Sequence, residues 1–303
     1  LPHSSQANDS TGPLRANAGL TLPDDYPGYD ATKGPNFTVE LDAGNSRVDN
    51  GKVKVKQYLG LDRTGNPTYG PERSYKVNDI NNAMVVYGDI KSIQGTLDEK
   101  LTIGALAKKS DPNGLDPRDP NPLDPGGSVD VTGSLNYASR PDDLSYTDAP
   151  GLYTADHTGI NQDYVATLLD QLNQVTDVLG IFSESDVTIK EKDLDGNKVA
   201  ADVNNPIHLD AIVMATGSAT TNTSDGGFAV ENFLTRTKGA ALTIGGQIQN
   251  HGYSWALFSG NTFTHGILQT RLWDQRAFQP GGAPPFFPTT GNLQPSPRAW
   301  RAS

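Results

Sequence analysis

Short stretches in which apolar and polar residues alternate recur along most of the chain, with Gly, Asn or Asp at the breaks between them. This pattern predicts β-strands joined by tight turns. Two of the stretches are near copies, LTIGA at 101–105 and LTIGG at 242–246. Repeated strand-and-turn units without a strict period are typical of a parallel β-solenoid, in which each coil stacks its inward aliphatic side chains on the next. We therefore predict an all-β, parallel β-solenoid (β-helix-like) fold, with a β-sandwich as the open alternative because it would show the same alternation.

One stretch, residues 161–179, departs from the alternation. Its apolar residues recur at three- and four-residue spacing, Asn161 can cap its start and Gly180 can stop it. This spacing predicts one amphipathic α-helix. We expect the helix to cover an end or a flank of the sheet, where unpaired strand edges would otherwise invite aggregation.

Two proline-rich segments are predicted to lie outside the regular strands. Residues 110–127 are rich in Pro and Asp and predict an irregular acidic loop. Residues 279–303 carry six Pro and predict an extended, Pro-rich C-terminal strap. We therefore divide the chain into a solenoid domain at 1–278, which includes the helix and the acidic loop, and the strap at 279–303.

Charge and aromatic residues are distributed unevenly along the chain. The formal net charge is −11 and there is no cysteine, which excludes disulfides, thiolate metal sites and a cysteine nucleophile. Residues 1–231 hold 18 basic against 34 acidic residues, whereas residues 232–303 hold six against one, so the balances are −16 and +5. The same C-terminal quarter contains all three Trp and 10 of the 23 aromatic residues. We expect a partner to bind in this quarter.

The sequence carries little sign of catalytic or metal chemistry. No two His have the spacing of metal ligands on one helix face. Adjacent carboxylates at 24–25 and 142–143 would point to opposite faces of a strand rather than at one glycosidic bond. Residues 193–197 have the alternating oxygens of a calcium loop but lack its final Glu, so a hairpin turn is favoured there. We expect no catalytic residue, no metal and no cofactor, and we predict that the protein is not an enzyme.

Two groups of residues are candidates for contact with a partner. Three alternating lysines would stand in a row on one face of a strand. Near the C-terminus, arginines are interleaved with aromatic rings, a combination that suits a protein–protein interface or contact with single-stranded nucleic acid. The candidates for binding a protein partner or DNA are Lys52, Lys54, Lys56, Arg271, Trp273, Arg276, Arg298 and Trp300.

A series of strings along the chain adds a family resemblance. They include MVVYGDIKSIQGTL at 84–97, LDAIVMA at 209–215, LTIGGQIQN at 242–250, RLWDQR at 271–276 and PPFFP at 284–288. In this order the strings resemble the large minor pilins and pilus-assembly proteins whose globular region contains a β-solenoid, including a competence-associated minor pilin. The resemblance implies a non-catalytic, surface-exposed component of a type IV pilus or competence machine, and DNA binding as a possible property.

We therefore expect a non-catalytic structural component of a type IV pilus-like or cell-envelope assembly, located at the cell surface or outside the cell. Its expected partners are pilin or envelope protein subunits, with self-assembly and DNA also open. The alternatives are a DNA-binding receptor of a competence pilus and a secreted polysaccharide-binding or polysaccharide-cleaving β-helix protein. No apolar run approaches the roughly 18 residues of a membrane span, so we expect no membrane contact from this chain.

Overall fold

The computed structural model describes residues 14, 17–44, 51–107, 127–139, 170, 174–200, 202–203, 206–217, 226–274, 276 and 282–287. Within these residues the chain is nearly all β, with two short 3₁₀ turns at Ala31–Lys33 and Asn78–Ile80. The strands are β1 (Leu20–Leu22), β2 (Phe37–Asp42), β3 (Lys52–Leu61), β4 (Pro67–Tyr69), β5 (Arg73–Lys76), β6 (Ala83–Tyr87), β7 (Ile90–Leu97), β8 (Lys100–Leu106), β9 (Val129–Tyr137), β10 (Val178–Ser183), β11 (Val187–Ile189), β12 (Ile207–Ala215), β13 (Phe228–Val230), β14 (Gly239–Gln249), β15 (Ala256–Ser259) and β16 (Thr262–Trp273).

Most strands belong to one of two parallel ladders. The first ladder runs in the order β1, β6, β8, β10, β12, β14 and β16. The second runs in the order β2, β7, β9, β11 and β13. From β6 to β14 the chain alternates between the ladders, and Leu135 of β9 pairs with Leu209 of β12 to join them. The result is a curled sheet of parallel strands, which confirms the predicted all-β class and parallel pairing.

The main apolar core draws on both ladders. In the first ladder, Ile103, Ile181 and Val213 are paired in register and almost fully buried. In the second, Val129 pairs with Val187, which pairs with Phe228. All belong to one buried cluster. Because strand residues two apart share a face, each alternating stretch of the sequence adds one aliphatic layer to these rows.

The outer side of the first ladder is also covered. All six residues of β10 are buried, and a second apolar cluster there includes Leu14, Phe182 and Phe287. The hydroxyl of Thr102 donates to the backbone carbonyl of Pro285. The described part of the predicted strap, residues 282–287, therefore lies against this outer side.

The covering helix predicted at 161–179 is wrong over residues 174–179, although Asp170 has helical backbone geometry. Residues 175–177 are irregular, and Val178 and Leu179 begin strand β10, paired in parallel with β8. No α-helix has its bounds within the described residues. Strands covered on both faces lose their alternation, so their apolar runs produce helix-like spacing. Residues 161–169 and 171–173, and 110–126 of the predicted acidic loop, lie outside the described part of the chain.

Antiparallel strands flank the ladders at both ends of the sequence. Strand β3 pairs in antiparallel orientation with β2, β4 and β5. At the other end, β15 pairs in antiparallel orientation with the first half of β16. The first of these regions carries the three candidate lysines, whereas Arg271 and Trp273 lie in the second half of β16, which pairs with β14.

Candidate functional site

The predicted lysine row lies on β3, and carboxylates face two of its members. Lys54 Nζ is 2.8 Å from Asp42 Oδ2 and 3.4 Å from Glu40 Oε1, while Lys56 Nζ is 3.0 Å from Glu72 Oε2. The hydrogen bond between Lys54 and Asp42 lowers the pKa of the Asp42 carboxyl and raises the pKa of the Lys54 ammonium group. Antiparallel pairing causes this arrangement, since it puts the acidic residues of β2 opposite the lysines. Much of the positive charge of the row is therefore balanced within the protein.

Lys52 occupies the start of the same strand. Its register partner on β2 is Asp42 and its partner on β5 is Lys76. The sequence predicted the row itself, because alternate residues of a strand share a face. The sequence did not predict the carboxylates opposite these lysines, because their positions depend on which strands pair.

Two residues of the predicted C-terminal group are exposed on β16. The Trp273 side chain is 38% exposed, and Arg271 is exposed two residues before it. The guanidinium carbon of Arg271 lies 5.8 Å from the ring centroid of Trp255, which is within the range of a cation–π interaction. Burial of part of this arginine lowers its pKa. Arg271 and Trp273 thus form an exposed pair at the end of the first ladder.

Arg276 is not part of that exposed pair. Its side chain is 7% exposed and forms two hydrogen bonds with the Asp274 carboxylate, Nε to Oδ1 at 2.9 Å and Nη2 to Oδ2 at 2.6 Å. Its Nη1 donates to the backbone carbonyls of Val175 and Asp177. All of these contacts are internal, and they join the end of β16 to the segment before β10. Arg298 and Trp300 lie outside the described residues.

The structure also shows exposed apolar side chains on and around the last three strands, which the sequence did not reveal. Five large apolar residues after residue 232 are exposed to solvent in the described part of the chain. They are Leu234, Ile248, Phe258, Leu268 and Trp273. Along residues 267–273, β16 pairs with β14 on one edge, and no other described strand pairs along its second edge. In the sequence, the enrichment of aromatic residues after position 232 was the signal that could have pointed to these exposed residues.

A half-buried carboxyl lies among charged side chains on the second ladder. Ion pairs join Lys91 to Asp89 at 2.8 Å and Lys190 to Glu231 at 2.5 Å. Asp130, on β9, lies close enough to interact with all four groups. Burial raises the pKa of Asp130 to about 6, against the opposing effect of the two lysines.

We expect Asp130→Asn to stabilise the protein at about pH 7.5 and to change little at about pH 4. The folded state holds the Asp130 proton more tightly than the unfolded chain, whose pKa is near 3.8. Stability therefore falls as the pH rises from about 4 to about 6 and stays lower above that, and the uncharged amide removes this loss. Thermal unfolding of both proteins across this range measures the difference. A difference in Tm that does not change with pH would contradict the assignment.

The remaining sequence candidates for chemistry have structural roles. Residues 193–197 form the predicted hairpin, in which the Asp193 amide donates to the Asn197 carbonyl at 2.8 Å and Lys192 pairs with Lys198. Asp25 accepts a hydrogen bond from the Thr21 amide at 2.7 Å. No group of three or more His, Asp or Glu in the described residues is arranged to hold a metal ion. The acidic pair at 142–143 lies outside the described residues.

Comparison with family models, curated proteins and solved structures finds no match to this chain. In the described ranges, no helix combines the length and apolar character needed to cross a membrane. The function is therefore inferred from the geometry of the candidate surfaces.

Proposed function

We propose that the two parallel ladders are faces of a β-solenoid and that the protein is a non-catalytic structural component of an extracytoplasmic, pilus-like or cell-envelope assembly. The alternation of the chain between the ladders supports the solenoid, because one return to each ladder corresponds to one coil. The sequence resemblance to minor pilins supports the pilus-like setting and the location at the cell surface.

The open edge of β16 is the observation that carries the proposal. Of the seven large apolar side chains exposed in the described residues, five follow residue 232, and they include Leu268 and Trp273 on β16 itself. Soluble proteins normally protect unpaired strand edges, because such edges pair readily with other chains. An exposed apolar edge at the end of a ladder therefore favours a protein that is completed by another subunit.

The charge at this edge favours an acidic partner. Arg271 is exposed there, and the one acidic residue after position 231, Asp274, is paired inside the protein with Arg276. We assign the edge to a strand of another subunit that adds beside β16, with apolar side chains near Leu268 and Trp273 and a carboxylate near Arg271. Backbone hydrogen bonds supply affinity in such strand addition, and side chains supply specificity.

A single thiol at the edge tests the proposal. The chain has no cysteine, so Leu268→Cys introduces the only reactive thiol. On intact producing cells we expect this thiol to react with a membrane-impermeant maleimide much more slowly than in the purified protein, because the partner strand covers it. Leu61→Cys is the matched control, since Leu61 is 62% exposed on β3, away from the edge. Equal labelling of the two positions on cells would contradict the proposal.

The DNA-receptor alternative has weaker support from the candidate residues. Arg271 and Trp273 are exposed together, as contact with single-stranded DNA requires. However, Arg276 is buried, and Lys54 and Lys56 are paired with carboxylates. Few of the candidate cations in the described residues remain to neutralise phosphates, and phosphate contacts supply most of the affinity for DNA.

A further inference from the structure

The hairpin at 193–197 stands beside the antiparallel sheet of β2, β3 and β4 and forms one wall of a groove. The groove has a volume of about 230 Å³, and the residues lining it include Glu40, Lys54, Tyr69, Gln94 and Asp195. A second hollow of about 370 Å³ is lined by Asp193 and Lys198 together with Thr132 and Ser134. Asp193 lines both, so the two hollows meet at the hairpin.

The hairpin is built to keep its shape without a ligand. The Asp193 carboxylate accepts hydrogen bonds from the backbone amides of Asp195 at 3.0 Å and Asn197 at 2.7 Å. The side-chain amide of Asn197 donates to the same carboxylate at 2.9 Å. A wall that is already ordered loses little conformational entropy on binding, which favours a recognition role.

The groove presents donors and acceptors with nearly balanced charge. The lining includes the ammonium groups of Lys54 and Lys56, carboxylates from Glu40, Asp193 and Asp195, one side-chain amide and several hydroxyls. Val39 and Leu194 are the aliphatic residues in the lining, so an apolar peptide would find little surface to bury. The carboxylates likewise disfavour a phosphate-rich ligand, because like charges repel. Such a lining suits a ligand rich in hydroxyl groups, each of which both donates and accepts.

Tyr69 adds an aromatic wall to this polar surface. Its ring lies 6.1 Å from the ring of Tyr58, and Lys56 Nζ lies 5.8 Å from its centroid. Burial and the nearby Asp195 carboxylate raise the pKa of Tyr69, so its phenol remains a neutral donor. An aromatic ring beside convergent polar groups can pack against the C–H face of a sugar ring while those groups bind its hydroxyls.

We propose that this groove binds a neutral oligosaccharide chain, with one stretch of sugars against Tyr69 and Gln94 and the next beside Thr132 and Ser134. The site is separate from the β16 edge and does not depend on the assembly function proposed above. It would let the protein contact a surface glycan while its C-terminal end is joined to another subunit.

Titration of the full chain with neutral hexasaccharides derived from dextran, laminarin, cellulose and chitin, followed by calorimetry, tests the site. We expect binding of at least one probe, weakened about tenfold or more by Tyr69→Ala. Tyr69→Phe keeps the ring and is expected to keep most of the affinity, and Gln94→Ala is a second, independent lining variant expected to weaken binding. Phe258→Ala removes an exposed ring far along the chain on β15 and serves as the matched control.

Three outcomes would overturn the proposal. They are no binding of any neutral probe at millimolar concentration, binding that Tyr69→Ala and Gln94→Ala leave unchanged, and stronger binding of the anionic polymer polygalacturonate than of every neutral probe. None of these measurements uses the assembly partner, so failure here leaves the thiol-labelling test at Leu268 unaffected. Unfolding curves of each variant establish that a lost affinity is not a lost fold.

Discussion

Replacing Gly245 by alanine is expected to destabilise the protein by about 3 kcal/mol or more. A Cβ atom at this position of β14 would lie 1.8 Å from the backbone carbonyl oxygen of Ala211 in the neighbouring strand β12. Backbone cannot move aside there without breaking the pairing of β12 with β14, in which Ala211 and Gly245 are register partners. Urea unfolding followed by circular dichroism measures the loss as a lower midpoint.

The near-copy LTIGA at 101–105 provides the matched control for this substitution. Gly104 occupies the same position in that string as Gly245 in LTIGG. A Cβ on Gly104 would meet Cδ2 of Leu14 at 2.5 Å, which is the far end of a flexible side chain. We expect Gly104→Ala to cost about 1 kcal/mol, since a change of rotamer at Leu14 relieves the contact. Equal losses at the two glycines would show that the approach of β12 does not determine the effect.

Alternation predicted the strands well where only one face of a strand is covered by apolar neighbours. In β2, burial alternates from Phe37 to Asp42 as the sequence does, and the row formed with β3 follows from that period. The prediction was wrong at Val178 and Leu179, the first residues of β10, which is buried throughout because the core lies on one face and Phe287 and its neighbours on the other. No local period distinguishes such a strand from a buried helix, and the covering segment is about a hundred residues away in the sequence.

The candidate contacts divide for a similar reason. Spacing places Lys52, Lys54 and Lys56 on one face. The carboxylates that pair with Lys54 and Lys56 come from β2 and from Glu72, just before β5, and appear only with the tertiary structure. Likewise, sequence identifies the C-terminal quarter as basic and aromatic without saying which side chains are exposed. Trp273 is exposed and Arg276 is buried three residues later, because the chain turns inward at Asp274. In the sequence, the position of Asp274 two residues before Arg276 was the sign that this arginine has an internal partner.

Arg276→Ala is expected to destabilise the protein by about 3–5 kcal/mol. The substitution leaves the Asp274 carboxylate, which is 1% exposed, without its cation, and it leaves two backbone carbonyls near 175–177 without their donor. Arg271→Ala is the control, because Arg271 is exposed and makes no described ion pair with a carboxylate; we expect a loss below about 1 kcal/mol there. Thermal and urea unfolding of both variants give the comparison.

A variant that replaces both Arg276 and Asp274 separates the effect of an unpaired buried charge from the effect of lost packing. In Arg276→Met with Asp274→Leu, no buried charge is left unpaired, so we expect the double variant to recover part of the stability that Arg276→Ala loses. The two carbonyls at Val175 and Asp177 still lack a donor, so recovery should stay incomplete by about 1–3 kcal/mol. If Arg276→Ala costs no more than Arg271→Ala, the pair does not hold the end of β16 to the start of β10.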